Sequence, residues 1–209
     1  MRIADITSKI ARAPMKLVIK VSRLSNRLRF MAEGITFGEY SRIEGYVGVF
    51  RRPGAEIRIG RRFHLTSGAF INKISRGRRA CICAEESAKI LIGDNVGMSS
   101  PCLWARTSII IGDNVNVGAD CVIMDHDAHS LDYMDRRNYE MDRKKIESKP
   151  VVIGNDVLIG AESIILKGVS IGNRSIIGAG SIVTCDIPSD EMWAGVPARF
   201  IRKINQISK

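Results

Sequence analysis

The 209 residues amount to one domain of ordinary size with room for a terminal appendage. The net charge of +10 is unevenly spread: residues 1–79 hold 18 Lys/Arg against 5 Asp/Glu, and the remainder holds 14 against 17. A basic half suits nucleic acid, an anionic membrane or a phosphorylated substrate, and nucleic acid is set aside because no recognised binding motif accompanies the charge. Five cysteines (Cys81, Cys83, Cys102, Cys121 and Cys185) are odd in number, lack metal-site spacing and read as small buried thiols. The apolar stretch Leu17–Val21 is broken by Lys20 and has no small-residue cleavage site, and no run approaches ~18 apolar residues. The expectation is a cytoplasmic protein without a transmembrane helix.

In chain order, residues 1–33 come first, with eight basic residues and two acids, Asp5 and Glu33. Leu17, Val21, Leu24 and Leu28 recur at helical spacing with basic residues between them, and Pro14 is expected to begin that helix or to divide two short ones. Such a segment either caps the first coil of the neighbouring repeat region or lies on an anionic bilayer, and the two roles are compatible. Residues 34–188 are read as one repeat domain. Ile59-Gly60, Leu65 and Ile71 fit the repeat loosely. Ile92-Gly93, Met98 and Trp104 fit it better, as do Ile111-Gly112, Val117-Gly118 and Ile123, with one extra residue between Trp104 and Ile111 read as a bulged corner. The patch Arg76-Gly77-Arg78-Arg79 is placed on a corner.

From Ile153 the register is unbroken: IGNDVL, IGAESI, ILKGVS, IGNRSI, IGAGSI and VTCDIP. An aliphatic residue opens every unit (Ile153, Ile159, Ile165, Ile171, Ile177, Val183), and glycine follows it at 154, 160, 172 and 178. Neither a helix of period 3.6 nor a plain strand of period 2 returns the same side every six residues, whereas short flat segments with a corner every six do. Three such segments close a triangular coil, and coils stack at roughly the strand spacing of ~4.8 Å, aliphatic residues inward and glycine where a larger residue would crowd the corner. The fold class is therefore all-β, a parallel β-helix of hexapeptide repeats. A thin solenoid leaves surface to cover, which points to caps and to side-by-side oligomers.

Between Ile123 and Ile153 the phase breaks into a charged loop, about residues 125–150, carrying two of the three histidines. Long loops thrown out from regular scaffolds often carry function. His126 and His129 sit where the loop leaves the solenoid, in MDHDAHSLD; imidazole is the commonest general base, and Asp125, Asp127 and Asp132 could orient a ring. His126-x-x-His129 without further ligands is weak as a metal site. The closing segment, residues 189–209, holds Gly195 and Pro197 in a turn, then Phe200, Ile201 and Ile204 as a short helix or strand over the last coil.

The motifs DHDAH, the repeats through IGAGSIVTCDIP and AGVPARFIRKI together resemble the hexapeptide-repeat acyltransferases, notably galactoside, maltose, xenobiotic and bacterial surface-polysaccharide O-acetyltransferases, over roughly residues 90–204. The resemblance implies a left-handed β-helix, a homotrimer, acetyl-CoA as donor, no metal, and a sugar hydroxyl as acceptor in polysaccharide assembly, with peripheral membrane contact through the basic N-terminus. It places His126 as general base and Asp125 and His129 as orienting or acceptor-binding groups. Gly160, Ala161 and Ala179 fall at its pantetheine contacts, and Thr184, Arg199 and Arg202 near the nucleotide end of CoA, where arginine suits phosphate. Leu158 stands where many relatives have Trp, and Cys185 where Lys is frequent. Amino-sugar, antibiotic or serine acetyltransferases are the rival enzymes. A non-catalytic scaffold or a three-histidine metalloenzyme is the rival outside that class, and the latter is disfavoured because His64 lies far from the loop in sequence.

Overall fold

The computed structural model describes residues 3–69, 71, 72, 74 and 77–204, with residues 3–14 described by backbone alone; Arg2, Arg76 and the end of the closing segment, 205–209, lie outside the described residues. Three sheets form the faces of a prism. The first face stacks Thr36–Phe37, Glu56–Ile59, Lys89–Ile92, Ser108–Ile111, Val151–Ile153 and Ser170–Ile171. The second stacks Arg42–Glu44, His64–Thr66, Gly97–Ser99, Asn116–Val117, Leu158–Ile159, Ile176–Ile177 and Glu191–Gly195, and ends in Ala198–Lys203. The third stacks Gly48–Arg51, Cys81–Ala84, Cys102–Ala105, Val122–Met124, Ile164–Ile165 and Ile182–Val183. All pairings are parallel except the last on the second face, an antiparallel hairpin through Pro197 that closes the solenoid. This is the expected left-handed parallel β-helix.

The repeat explains the packing. Ile153, Ile159, Ile165, Ile171, Ile177 and Val183 all point inward with at most 2% exposure, and the fifth places, Val157, Ser163, Val169, Ser175, Ser181 and Ile187, are buried too. The buried serines are satisfied locally: Ser163 Oγ donates to the Gly160 carbonyl at 2.8 Å, and Ser181 Oγ to that of Gly178 at 2.6 Å. The glycines answer to close approach rather than to positive φ. A Cβ on Gly160 would lie 2.3 Å from the Ala179 backbone nitrogen, and one on Gly154 2.4 Å from Asn173 Oδ1.

Two expectations are corrected. Trp104 is not inward: Leu103 and Ala105 take the core positions, and the indole lies half-buried on the outside of the third face. The phase change there is not one bulge. Leu103 follows Met98 one residue early, and the turn from Leu103 to Ile111 then runs long, because four-residue strands place two residues inward. The thiols are also less buried than expected: Cys121 is enclosed, Cys185 is exposed, and Cys81, Cys83 and Cys102 sit half-buried on the outer third face.

Helix α1, Ile3–Ala32, runs unbroken past Pro14 rather than starting or dividing there. Its last turns cap the first coil with a different side from the leucine stripe. Asn26, 3% exposed, donates to the carbonyls of Ile43 and Gly45 at 3.0 and 2.6 Å, Arg29 donates to that of Val47 at 3.0 Å, and Phe30 is fully buried. Leu17, Val21, Leu24, Leu28 and Met31 remain on the outer side, each more than half exposed. No helix among the described residues is long and apolar enough to cross a membrane. Gly77, Arg78 and Arg79 of the basic patch do lie at a corner, in the segment between the strands His64–Thr66 and Cys81–Ala84.

Candidate active site

The site grows from the corner where the third face turns into the first. Below the loop this corner is long in every coil, spanning Val49 to Ile59, Ile82 to Ile92 and Leu103 to Ile111; above it, the corner tightens to Ile165 to Ile171. Between them it opens into the loop from Asp125 to Pro150. The neck is closed by an antiparallel bridge between His126 and Ser148 and by Lys149 N–H donating to the Asp125 carbonyl at 2.8 Å.

His126 is 3% exposed. Its ring stands edge-on to Trp104, centroids 4.5 Å apart at 89°. Nδ1 accepts the Ala128 backbone N–H at 2.9 Å, while Nε2 is buried and has no partner. In the neutral ring this puts the proton on Nε2, because Nδ1 spends its lone pair on the amide. Burial pushes the His126 pKa below the ordinary imidazole value, and the Arg106 charge adds to that, while Asp125 and, more weakly, Glu85 and Asp127 pull it back up. The result is a neutral imidazole in an enclosed slot, one nitrogen tethered and one unspent.

Asp125 is fully buried, but its carboxylate does not hold the ring. Its two oxygens accept the backbone N–H groups of Arg106 and Thr107, each at 2.7 Å, so it fixes the corner one coil below. His129 is also not at the slot. Its Nδ1 lies 2.6 Å from Asp142 Oδ2, with the ring largely exposed, and the same carboxylate accepts the Ser130 N–H at 2.7 Å. Asp142 belongs to the short helix α2, Tyr139–Lys144, whose first N–H groups are capped by Asn138. Ser130 Oγ to Asp135 at 3.0 Å and Lys145 to Asp135 at 2.9 Å complete a latch that folds the loop on itself. Lys167 ties the loop to the solenoid through Asp127 and, at 2.9 Å, Glu147. His64 is exposed on the second face, so the three histidines stand apart.

Gly160, Ala161 and Ala179 come together at a different corner, where the second face turns into the third. They stack coil on coil: a Cβ on Gly118 would meet Ala161 N at 2.4 Å, and one on Gly160 would meet Ala179 N at 2.3 Å. Thr184 is exposed on the His126 corner, in the column of Met124 two coils above it, beside the exposed Cys185. Arg199 and Arg202 are exposed on the antiparallel outer strand, opposite Ala194 and Met192. Leu158 is 45% exposed on the outer second face between Asn116 and Ile176.

His126 and the Gly160 corner therefore lie at the two edges of one face. The two outward rows of that third face are uncharged, Arg51 at the end of its first strand being its one charged strand residue: one row runs Phe50, Cys83, Trp104 and Met124, the other Cys81, Cys102, Val122, Ile164 and Ile182. Cys81 and Cys102 are paired on adjacent strands, and that neighbour lowers the pKa of the Cys81 thiol. The other faces carry charge at equivalent places, such as Glu56, Arg58 and Lys89 on the first and Arg42 and Glu44 on the second. Sequence reasoning missed the Asp125 clamp, the Asp142 latch and the Trp104 edge contact. The long turn after Leu103 was the one available signal for the last of these.

Comparison with known proteins adds to this geometry. The family described as hexapeptide repeat of succinyl-transferase matches residues 108–123 and 150–185. Over 62 residues the chain is 56% identical to 2,3,4,5-tetrahydropyridine-2,6-dicarboxylate N-acetyltransferase of Halalkalibacterium halodurans, covering 30% of this chain and 26% of that one. Over 82 residues it is 45% identical to galactoside O-acetyltransferase of Escherichia coli strain K12, covering 39% and 38%. The chain thus matches less than half the length of these curated relatives. A solved hexapeptide-repeat acetyltransferase of Vibrio cholerae O1 biovar eltor, complexed with acetyl coenzyme A, superposes with a TM-score of 0.55 at 25% identity, covering 87% of this chain and 78% of that one.

Proposed function

We propose that the chain, whose repeats match a hexapeptide-repeat family model and whose fold matches a solved hexapeptide-repeat acetyltransferase, is an acetyl-CoA-dependent O-acetyltransferase acting on a sugar hydroxyl, in the assembly of surface polysaccharide. The observation that carries the reading is His126: a neutral, enclosed imidazole with one nitrogen unspent, at the edge of a face whose outward rows are uncharged. The acceptor hydroxyl gives its proton to His126 as its oxygen attacks the thioester carbonyl. The C–S bond breaks, the acetyl ester forms, and the proton passes to the departing CoA thiolate. No acyl-enzyme is involved, so no cysteine is required as nucleophile. For Nε2 to accept that proton, the ring must carry hydrogen on Nδ1, and the Ala128 amide must turn away from it. Acceptor binding at the loop neck is the event assigned to that turn.

The donor is assigned to the Gly160–Ala161–Ala179 corner, with Thr184, Arg199 and Arg202 toward its phosphates. A homotrimer whose copies meet edge to edge brings one chain's His126 corner beside the next chain's glycine–alanine corner, and the uncharged rows of the third face support such packing. The outer stripe of α1, flanked by Lys16, Lys20, Arg23 and Arg27, is assigned to an anionic bilayer. Replacing Leu24 and Leu28 by Ser spares the capping side and should lower flotation with phosphatidylglycerol vesicles; unchanged flotation removes this part.

The 56% match to an N-acetyltransferase supports a second reading, transfer to an amine. Release of CoA measured against a panel of sugar hydroxyls and amino sugars decides between the two. Hydroxyl acceptors alone are expected to turn over, and turnover confined to amines overturns the O-acetyl assignment.

A further inference from the structure

The long third-to-first corner leaves a cavity of about 890 Å³ below the loop, on the helix α1 side of His126. Its wall carries four cations, Arg52, Arg106, Arg143 and Lys144, against two carboxylates, Glu85 and Glu86. Part of that charge is already used. Glu85 accepts the Trp104 indole N–H at 3.1 Å and faces Arg143 at 3.5 Å, and Arg106 donates to the Arg143 carbonyl at 2.6 Å. Arg52 and Lys144 form no ion pair among the described residues. One comes from the solenoid and the other from the loop helix α2, so they flank the cavity from different elements. Tyr139, 76% exposed, adds a ring at the mouth.

The cavity is joined to the candidate base through one side chain. Trp104 holds Glu85 with its N–H and lies against the His126 ring at 4.5 Å. The wall carries two more cations than carboxylates, an excess that a neutral sugar leaves unbalanced and an acidic one offsets through charge-assisted hydrogen bonds.

We propose that this cavity selects an acidic sugar acceptor, its phosphate or carboxylate held between Arg52 and Lys144 while its free hydroxyl lies toward His126. The inference rests on the acetyltransferase reading and adds the charge class of the acceptor. Both candidate anions share the chemistry, and the probes separate them.

The test uses the full-length protein and its Arg52→Gln/Lys144→Gln double variant. Transfer from acetyl-CoA is measured to methyl glucoside, glucose 1-phosphate, UDP-glucose and methyl glucuronoside, and binding of inorganic pyrophosphate and of glucuronate to the unliganded protein is followed by calorimetry. The expected result is a kcat/KM at least about tenfold higher for one acidic series than for methyl glucoside, declining with added salt. In the double variant that preference and the matching anion binding should disappear while the KM for acetyl-CoA is unchanged. Phosphate-bearing probes and the glucuronoside tell which anion is read. Equal kcat/KM for acidic and neutral sugars overturns the proposal, as does a preference that survives in the double variant. If none of these sugars is acetylated, the calorimetry decides: variant-sensitive binding of either anion supports the cavity, and its absence overturns it. Failure to bind acetyl-CoA at all strikes the acetyltransferase reading instead and leaves anion binding by the cavity to be read on its own.

Discussion

The coils above the loop and those below it share one core but treat one corner differently. From Ile153 to Ile187 every corner is as tight as the repeat allows, and glycines at 154, 160, 172 and 178 bring successive coils nearly into backbone contact. Below the loop, the third-to-first corner is lengthened in each coil and finally opened into residues 125–150. Tight corners leave no room for a cavity, whereas the lengthened corner holds the cations, the Trp104–His126 pair and the loop neck. Regularity makes the scaffold, and departure from it makes the site.

The comparison can be broken most directly at His126. His126→Ala should lower kcat/KM by about 10²–10⁴-fold while leaving circular dichroism and oligomeric size unchanged. Full transfer by a correctly assembled variant would remove the assigned base. The same residue sets the pH dependence. The neutral ring is the active form, and burial moves its pKa below the ordinary 6.5, so activity should hold as the pH falls through 6.5 and drop only below it. Stability runs the same way: below 6.5 the unfolded chain binds a proton that the folded His126 resists, so folding weakens as the pH falls. An acid limb centred above 6.5 would contradict the buried slot.

On the regular side, the expected effects are structural. Gly160→Ala puts a methyl group 2.3 Å from the backbone nitrogen of Ala179, and neither coil can retreat without breaking the stack. The cost should reach about 1–3 kcal/mol in denaturant unfolding. Gly97→Ala is the like-for-like control: its methyl meets the Asn116 side-chain oxygen at 3.0 Å, which can swing aside, and the loss should stay within about 0.5 kcal/mol. Equal losses at the two positions would sink the argument that backbone contact between coils dictates the glycines. Asp125→Ala tests the junction of the two regions. It removes the charged acceptor of the part-buried N–H groups of Arg106 and Thr107 and should cost about 1–3 kcal/mol, with kcat falling because the base is the next residue. A loss of kcat with no loss of stability would instead make Asp125 an orienting group for the ring.

These differences also explain what could be read in advance. The core positions from Ile153 onward were legible because one residue type recurs in one phase, and each was found inward. Trp104 was misplaced because hexad counting assumes one inward residue per strand, and the four-residue strand Cys102–Ala105 has two. The leucine stripe of α1 was visible, but which side caps the first coil was not. Capping is done by Asn26 and Arg29, which bond to backbone carbonyls that no sequence pattern marks. His126 was singled out by its place at the loop exit. The roles of its neighbours were hidden, since two aspartates and a second histidine in a short motif do not reveal which of them bonds to backbone.

His129 carries the smallest effect and the sharpest discrimination within that motif. As an acceptor ligand it would have to reach the slot, yet its ring is mostly exposed and its Nδ1 is engaged with Asp142. That carboxylate keeps the Ser130 N–H when the imidazole is lost, and Asp135 still joins Ser130 to Lys145, so the loop retains its fold. His129→Ala should therefore leave kcat/KM for both substrates within about twofold of the parent, as expected for removing one exposed hydrogen-bond partner. The acceptor KM should stay put while limited proteolysis within residues 125–150 speeds up modestly. A rise in acceptor KM without faster proteolysis would return His129 to the substrate and shift the acceptor site from the corner cavity to the loop's outer side.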